Sequence, residues 1–149
     1  MAIVGFGFDK ISAEKKSEKL PKEAKIESNI NISNVEGDEM NVGKNQPLLK
    51  IGFKFSIDYQ PDYALLEVNG HVLNMLDEKE HKEVLAKWDK DKKLDKDILT
   101  TVLNFILAKV HIKSLELSQD LNLPPHLPLP HVQTKPEEKE DPKQSEYIG

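Results

Sequence analysis

The chain has 149 residues, 38% hydrophobic and 32% charged, with a formal net charge of −5 and a pI near 5.6. That length suits one domain with a real core. All 21 basic residues are lysine, so the clustered, arginine-bearing surface of a nucleic-acid binder is not expected, and the absence of cysteine removes disulfides, thiolate nucleophiles and cysteine-based metal sites.

The N-terminus, Met1 to Lys10, has an apolar run that stops at Asp9 with no basic head before it. It lacks the order of a secretory signal, so a cytoplasmic location is expected. The uninterrupted apolar runs are also shorter than a membrane span requires, and no membrane insertion is expected. Residues 1–8 suggest a short strand, and 11–25, rich in lysine and glutamate and holding Pro21, a polar linker. From Lys25 to Ser33 the sequence alternates, with Ile26, Ser28, Ile30 and Ile32 on one face. Period two predicts a half-buried strand. Residues 36–47 carry turn residues and predict a loop.

Leu49, Ile51, Phe53, Phe55 and Ile57 alternate with polar residues and predict a strand over 48–58. Asp58 to Asp62 predicts a turn, and Tyr63–Met75 a second long strand pairing antiparallel with the first. Gly70 within it marks a bulge or a bend. Asp77, with Glu80 three positions on, predicts a capped helix with Val84, Leu85 and Trp88 as its apolar positions. A second helix is expected over Lys96–Val110, where Ile98, Val102, Phe105 and Ile106 form a broad apolar stripe. His111–Ser118 is expected as a last strand. Four prolines between Pro124 and Pro130 then predict an extended, leucine-bearing ribbon, and the charged residues 133–149 predict a disordered tail. Residues 1–132 would be a single α+β domain: an antiparallel sheet of about four strands with two helices packed on it.

No residue pattern marks an active site. Gly5-Phe6-Gly7-Phe8 lacks the third glycine and the preceding strand of a dinucleotide loop. His71, His81, His111, His126 and His131 lack metal-ligand spacing and read as exposed histidines. Asp58 and Asp62 read as turn chemistry. No cofactor, metal or catalytic group is expected, and the chain reads as a non-enzyme. Phe6, Phe8, Phe53, Phe55 and Tyr59 have two readings: the lining of an apolar client-binding groove, or ordinary core. Pro125-His126-Leu127-Pro128 matches P-x-x-P, but so greasy a ribbon also suits a segment lying on its own core.

The segment Leu121-Asn122-Leu123-Pro124-Pro125-His126-Leu127, following strands and a helix, resembles the SecB family of export chaperones. That family carries a similar Leu-Asn-Leu-x-Pro-hydrophobic segment after its first long helix. Three departures are expected: ten residues, His111 to Asp120, between helix and motif; an added helix around Trp88; and the charged tail in place of the family's final long helix. The resemblance implies a SecB-like fold, assembly as a homo-oligomer, and ATP-independent binding of unfolded or preprotein chains in apolar grooves. The alternative is a non-catalytic adaptor or structural subunit of a protein complex.

Overall fold

The computed structural model of the chain describes residues 1–38 and 47–133. Four strands, β1 (Ala2–Lys15), β2 (Lys25–Asp38), β3 (Leu48–Gln60) and β4 (Ala64–Met75), precede two helices, α1 (Glu78–Asp91) and α2 (Lys96–Asp120). The strands form one antiparallel sheet in the order β1-β4-β3-β2. The α+β class follows from this layout: both helices lie on the same side, with α2 over β4 and α1 beside β2.

The core sits where alternation places it. Leu49, Ile51, Phe53, Phe55, Ile57 and Tyr59 of β3 are buried, as are Ala64, Leu66, Val68 and Val72 of β4. Register aligns Ile51 with Val72 and Phe55 with Val68, so one face of the two central strands is continuous apolar surface. Alternating positions such as Lys50, Lys54 and Glu67 point away.

Both edge strands run further than the sequence predicts. A register shift between Phe8 and Lys10 lets β1 continue, with Ile11 opposite Val68 and Ala13 opposite Leu66. Residues 11–15 are therefore strand, not linker. Asp9 breaks the period of two there, which hides the second half of the strand from a pattern search. In β2 a shift between Ile32 and Asn34 returns Val35 to the core side, extending the strand to Asp38; of the expected 36–47 loop, residues 39–46 lie outside those described.

Gly70 does mark a bulge, with the extra residue, Asp9, in the neighbouring strand: the β1–β4 register shifts between Phe8, opposite Gly70, and Lys10, opposite Asn69. Gly70 lies opposite Phe53 on one side and Phe8 on the other. A Cβ there would stand 2.8 Å from the Phe53 ring and 2.3 Å from the Gly7 carbonyl oxygen. Glycine is required by close approach.

The helix α1 begins as expected, with the Asp77 carboxylate accepting from the Glu80 backbone N–H at 2.8 Å. The largest correction concerns α2. His111–Ser118 is helix rather than strand, and α2 runs unbroken for 25 residues. Its buried positions are Val102, Ile106, Val110, Ser114 and Ser118, each four residues from the last. In the C-terminal half the contact stripe is made by serines, so the apolar positions left in the sequence (Ile112, Leu115, Leu117) do not follow the buried side of a helix.

Candidate functional site

The apolar surface around α2 is the feature most suited to function. By length and composition α2 is apolar enough to cross a membrane, yet only 22% of its most apolar window is buried. Residues four apart advance about 40° around a helix, so four rows run along it, the outward one being Thr100, Asn104, Ala108, Ile112 and Glu116, all exposed. The row 102/106/110/114/118 faces the sheet. Phe105, Lys109 and Lys113 form a second row toward β1, and Leu99, Leu103, Leu107 and His111 a third toward β3 and β2.

On the β1 flank, Phe6 stacks on Phe53 at 5.7 Å and meets Phe8 and Phe105 edge-on at 5.0 and 5.8 Å. Lys109 lies over Phe6 and Phe105, and Lys113 over Phe8. The cations cover the rings electrostatically while their stems lie along apolar surface. Ile11 is 43% exposed, and among the described residues the outer edge of β1 has no strand beside it; Ile112, 62% exposed, lies in the outward row of α2.

The β3–β2 flank is different. The segment after α2, residues 121–130, doubles back as a strap. Leu121-Asn122-Leu123 is what turns it. Asn122 takes a left-handed conformation, φ 55°. Its N–H donates to the Gln119 carbonyl, and the Leu123 N–H donates to that of Ser118. These are the paired bonds of a Schellman motif, with asparagine in place of glycine and a proline directly after. The segment that carries the SecB resemblance is thus a helix stop, and α2 runs straight into it; the ten-residue gap expected between them does not exist.

Beyond the stop, Leu123 is buried. The Tyr59 hydroxyl donates to the Pro124 carbonyl and lies 3.3 Å from the Ser118 hydroxyl, which itself donates to the Ser114 carbonyl at 2.7 Å. Burial pushes the Tyr59 phenol above its ordinary value. His126 stacks on His111 with centroids 5.0 Å apart, His111 Nδ1 and His126 Nε2 are 2.8 Å apart, and both rings meet Phe55 edge-on. Burial holds both imidazoles below the usual histidine value, and His111 lowers His126 further. The bland reading of these two as exposed histidines is overturned. Opposite Tyr59 and Phe55 in register stand Ile26 and Ile30 of β2, half-buried with Ile32 against the same core.

Of the five aromatics singled out from sequence, Phe53, Phe55 and Tyr59 are 1%, 2% and 0% exposed; they are core. Phe6 and Phe8 are half-buried on the β1 flank. In the motif, Leu123 is buried; Leu121, Pro124 and Leu127 are half-buried; Asn122 and Pro125 are exposed. The Leu99, Leu103 and Leu107 row beside the main stripe is legible in the sequence; the His111–His126 pair is not, because the pattern places His111 on a strand.

Elsewhere, Asp62 pairs with Lys16 at 3.2 Å, and Asp58 accepts from Gln60. His71 pairs with Asp9 at 3.0 Å, and the His81 ring lies against the Leu48 carbonyl. A recess of 380 Å³ between α1 and the start of α2 is lined by Val84, Leu94, Ile98 and charged residues including Lys87 and Asp95, which already pair with each other. Among the described residues no group of three or more histidine, aspartate or glutamate side chains is placed to hold a metal ion.

No protein-family model matches the sequence, and comparison with curated proteins gives no match. Among solved structures the chain is similar to the SecB-like chaperone Rv1957 of Mycobacterium tuberculosis, solved in complex with a ChAD peptide from the antitoxin HigA1 (Rv1956). The TM-score is 0.52 at 17% identity, over 90% of this chain and 91% of that one. The likeness establishes a SecB-like fold.

Proposed function

We propose that the protein is a SecB-like chaperone that holds extended apolar segments of other polypeptides beside α2 without consuming ATP. One observation carries this reading: α2 fully buries a single row against its own sheet, and the Leu99, Leu103 and Leu107 row beside it stays half-exposed. Among the described residues the outer edges of β1 and β2 are unpaired. An extended chain can add to such an edge through its backbone while its side chains fill the adjoining apolar strip. The SecB-like fold and the peptide complex of the structural neighbour support the same reading.

The two flanks suit different occupants. The β1 flank is flat and exposed, and β1 has 14 residues, long enough to pair antiparallel with the same strand of a second copy. A two-fold contact of this kind is self-complementary, and it assigns Phe6, Phe8, Ile11 and Ile112 to a homo-oligomer. The β3–β2 flank lies between the strap and the surroundings of α1, and it fits a client segment against Ile30, Ile32, Leu103 and Leu107.

The test is aggregation of an unfolding model protein, followed by light scattering at increasing molar ratios, with the mass of the chaperone measured in parallel. Suppression near stoichiometric ratio is expected from an oligomer. Leu103→Glu should abolish suppression and leave the mass unchanged, whereas Ile11→Lys with Ile112→Lys should lower the mass. Equal aggregation with and without the protein, together with a monomeric mass and one co-purifying partner, would instead favour an adaptor.

A further inference from the structure

The chaperone reading leaves one device unexplained, the pair of imidazoles between α2 and the strap. We propose that the His111–His126 contact is a pH-operated latch: in the neutral state it fastens the strap over Phe55 and Tyr59, and on protonation it releases the strap and uncovers that apolar surface. Its use as a gate for clients rests on the chaperone reading above; the release itself does not.

The geometry argues for it from both protonation steps. In the neutral pair one nitrogen must donate across the 2.8 Å contact. His126 Nδ1 is buried with no hydrogen-bond partner among the described residues. A bare acceptor is tolerated there more readily than a buried N–H, so the proton belongs on His126 Nε2, donated to His111 Nδ1. The first added proton then has two places to go. On His126 it lands on Nδ1 and creates a buried donor without an acceptor. On His111 it fills the acceptor and turns N–H toward N–H. A second proton places two positive rings in a stack with centroids 5.0 Å apart.

Among the described residues nothing nearby compensates this charge. From β3 the groups packed against the pair are the Phe55 ring and, beside it, the Tyr59 phenol. From β2 the residues on that face are Ile26, Ser28, Ile30 and Ile32. On α2 the same row offers Leu107, with Ser114 and Ser118 next to it. Lys109 and Lys113 lie on the opposite flank over Phe6 and Phe8, and Glu116 is paired with Lys113. The strap supplies no carboxylate between Leu121 and Pro130. With no acid to hold a proton in place, ring charge is relieved by undocking.

The test uses the full-length, isotopically labelled protein without client. Backbone order parameters of residues 123–127 are measured at about pH 7.5 and about pH 5.5, on either side of the unperturbed histidine value. They should fall from about 0.85 to below about 0.6 while the four strands stay rigid. His126→Phe and, as a second variant, His126→Phe combined with His111→Phe keep the rings in the stack but leave no imidazole on the strap to protonate; either should hold the strap ordered at both values. A strap equally ordered at both values in the natural protein would overturn the latch, as would identical loosening in both variants or loosening of strap and strands together. Adding an extended apolar peptide separates the two readings. Strap release without peptide binding upholds the latch and removes the chaperone reading; peptide binding with a strap that never loosens does the reverse.

Discussion

The two flanks of α2 are built from similar side chains but closed in different ways. On the β1 side, aromatic rings are covered by lysine side chains, and Ile11 remains exposed. On the β3–β2 side, a proline-rich segment of the same chain is fastened down by a buried leucine, a tyrosine hydroxyl and a histidine pair. The contrast teaches that apolar surface is not by itself a binding site. What matters is whether its cover is solvent and mobile cations or a specific strap that must be displaced.

The comparison can be broken most forcefully at Leu123. Leu123→Ala removes the buried anchor of the strap and should cost about 2–5 kcal/mol in denaturant unfolding. Ile112→Ala, in the exposed outward row of α2, should stay within about 0.5 kcal/mol. Next comes the helix stop. Asn122→Ala forces an ordinary residue into left-handed backbone and should cost about 1–2 kcal/mol, whereas Asn122→Gly should be close to neutral. Tyr59→Phe leaves the Pro124 carbonyl without its donor and should cost about 1–2 kcal/mol, with the loss confined to the strap in hydrogen exchange.

A pH titration sharpens the comparison further. Both latch histidines sit below the ordinary value of 6.5, so the undocked state binds more protons than the docked one. Strap docking is therefore complete above that value and weakens as the pH falls below it. The β1 flank, held by lysines, should be unchanged over the same window. A small effect is also expected at Lys109→Gln, which removes a cation from the faces of Phe6 and Phe105 and should cost no more than about 1 kcal/mol.

The strands were legible in outline because period two survives in β3 and β4, whose alternate residues face opposite sides. It failed where a single residue interrupts the register. Asp9 hid Ile11–Lys15, and the shift after Ile32 hid Val35. The second half of α2 was illegible for another reason. Its sheet-facing residues there, Ser114 and Ser118, are polar in sequence and buried in the fold; Tyr59 and the Ser114 carbonyl satisfy the Ser118 hydroxyl, while that of Ser114 has no partner among the described residues. With that helix cut short, His111 was placed on a strand, away from His126. The family resemblance located the motif segment correctly but not its physical role, since the left-handed Asn122 is a matter of backbone conformation. The expected tail over 133–149 lies, beyond Gln133, outside the described residues.

The central claim is that a half-buried leucine row of α2 receives apolar segments of other chains. The most direct measurement is light scattering of an unfolding client in the presence of the natural protein and of Leu103→Glu. Suppression near equimolar ratio by the first and none by the second, with both correctly folded, is the predicted result. Suppression of equal strength by both, or by neither, would contradict it.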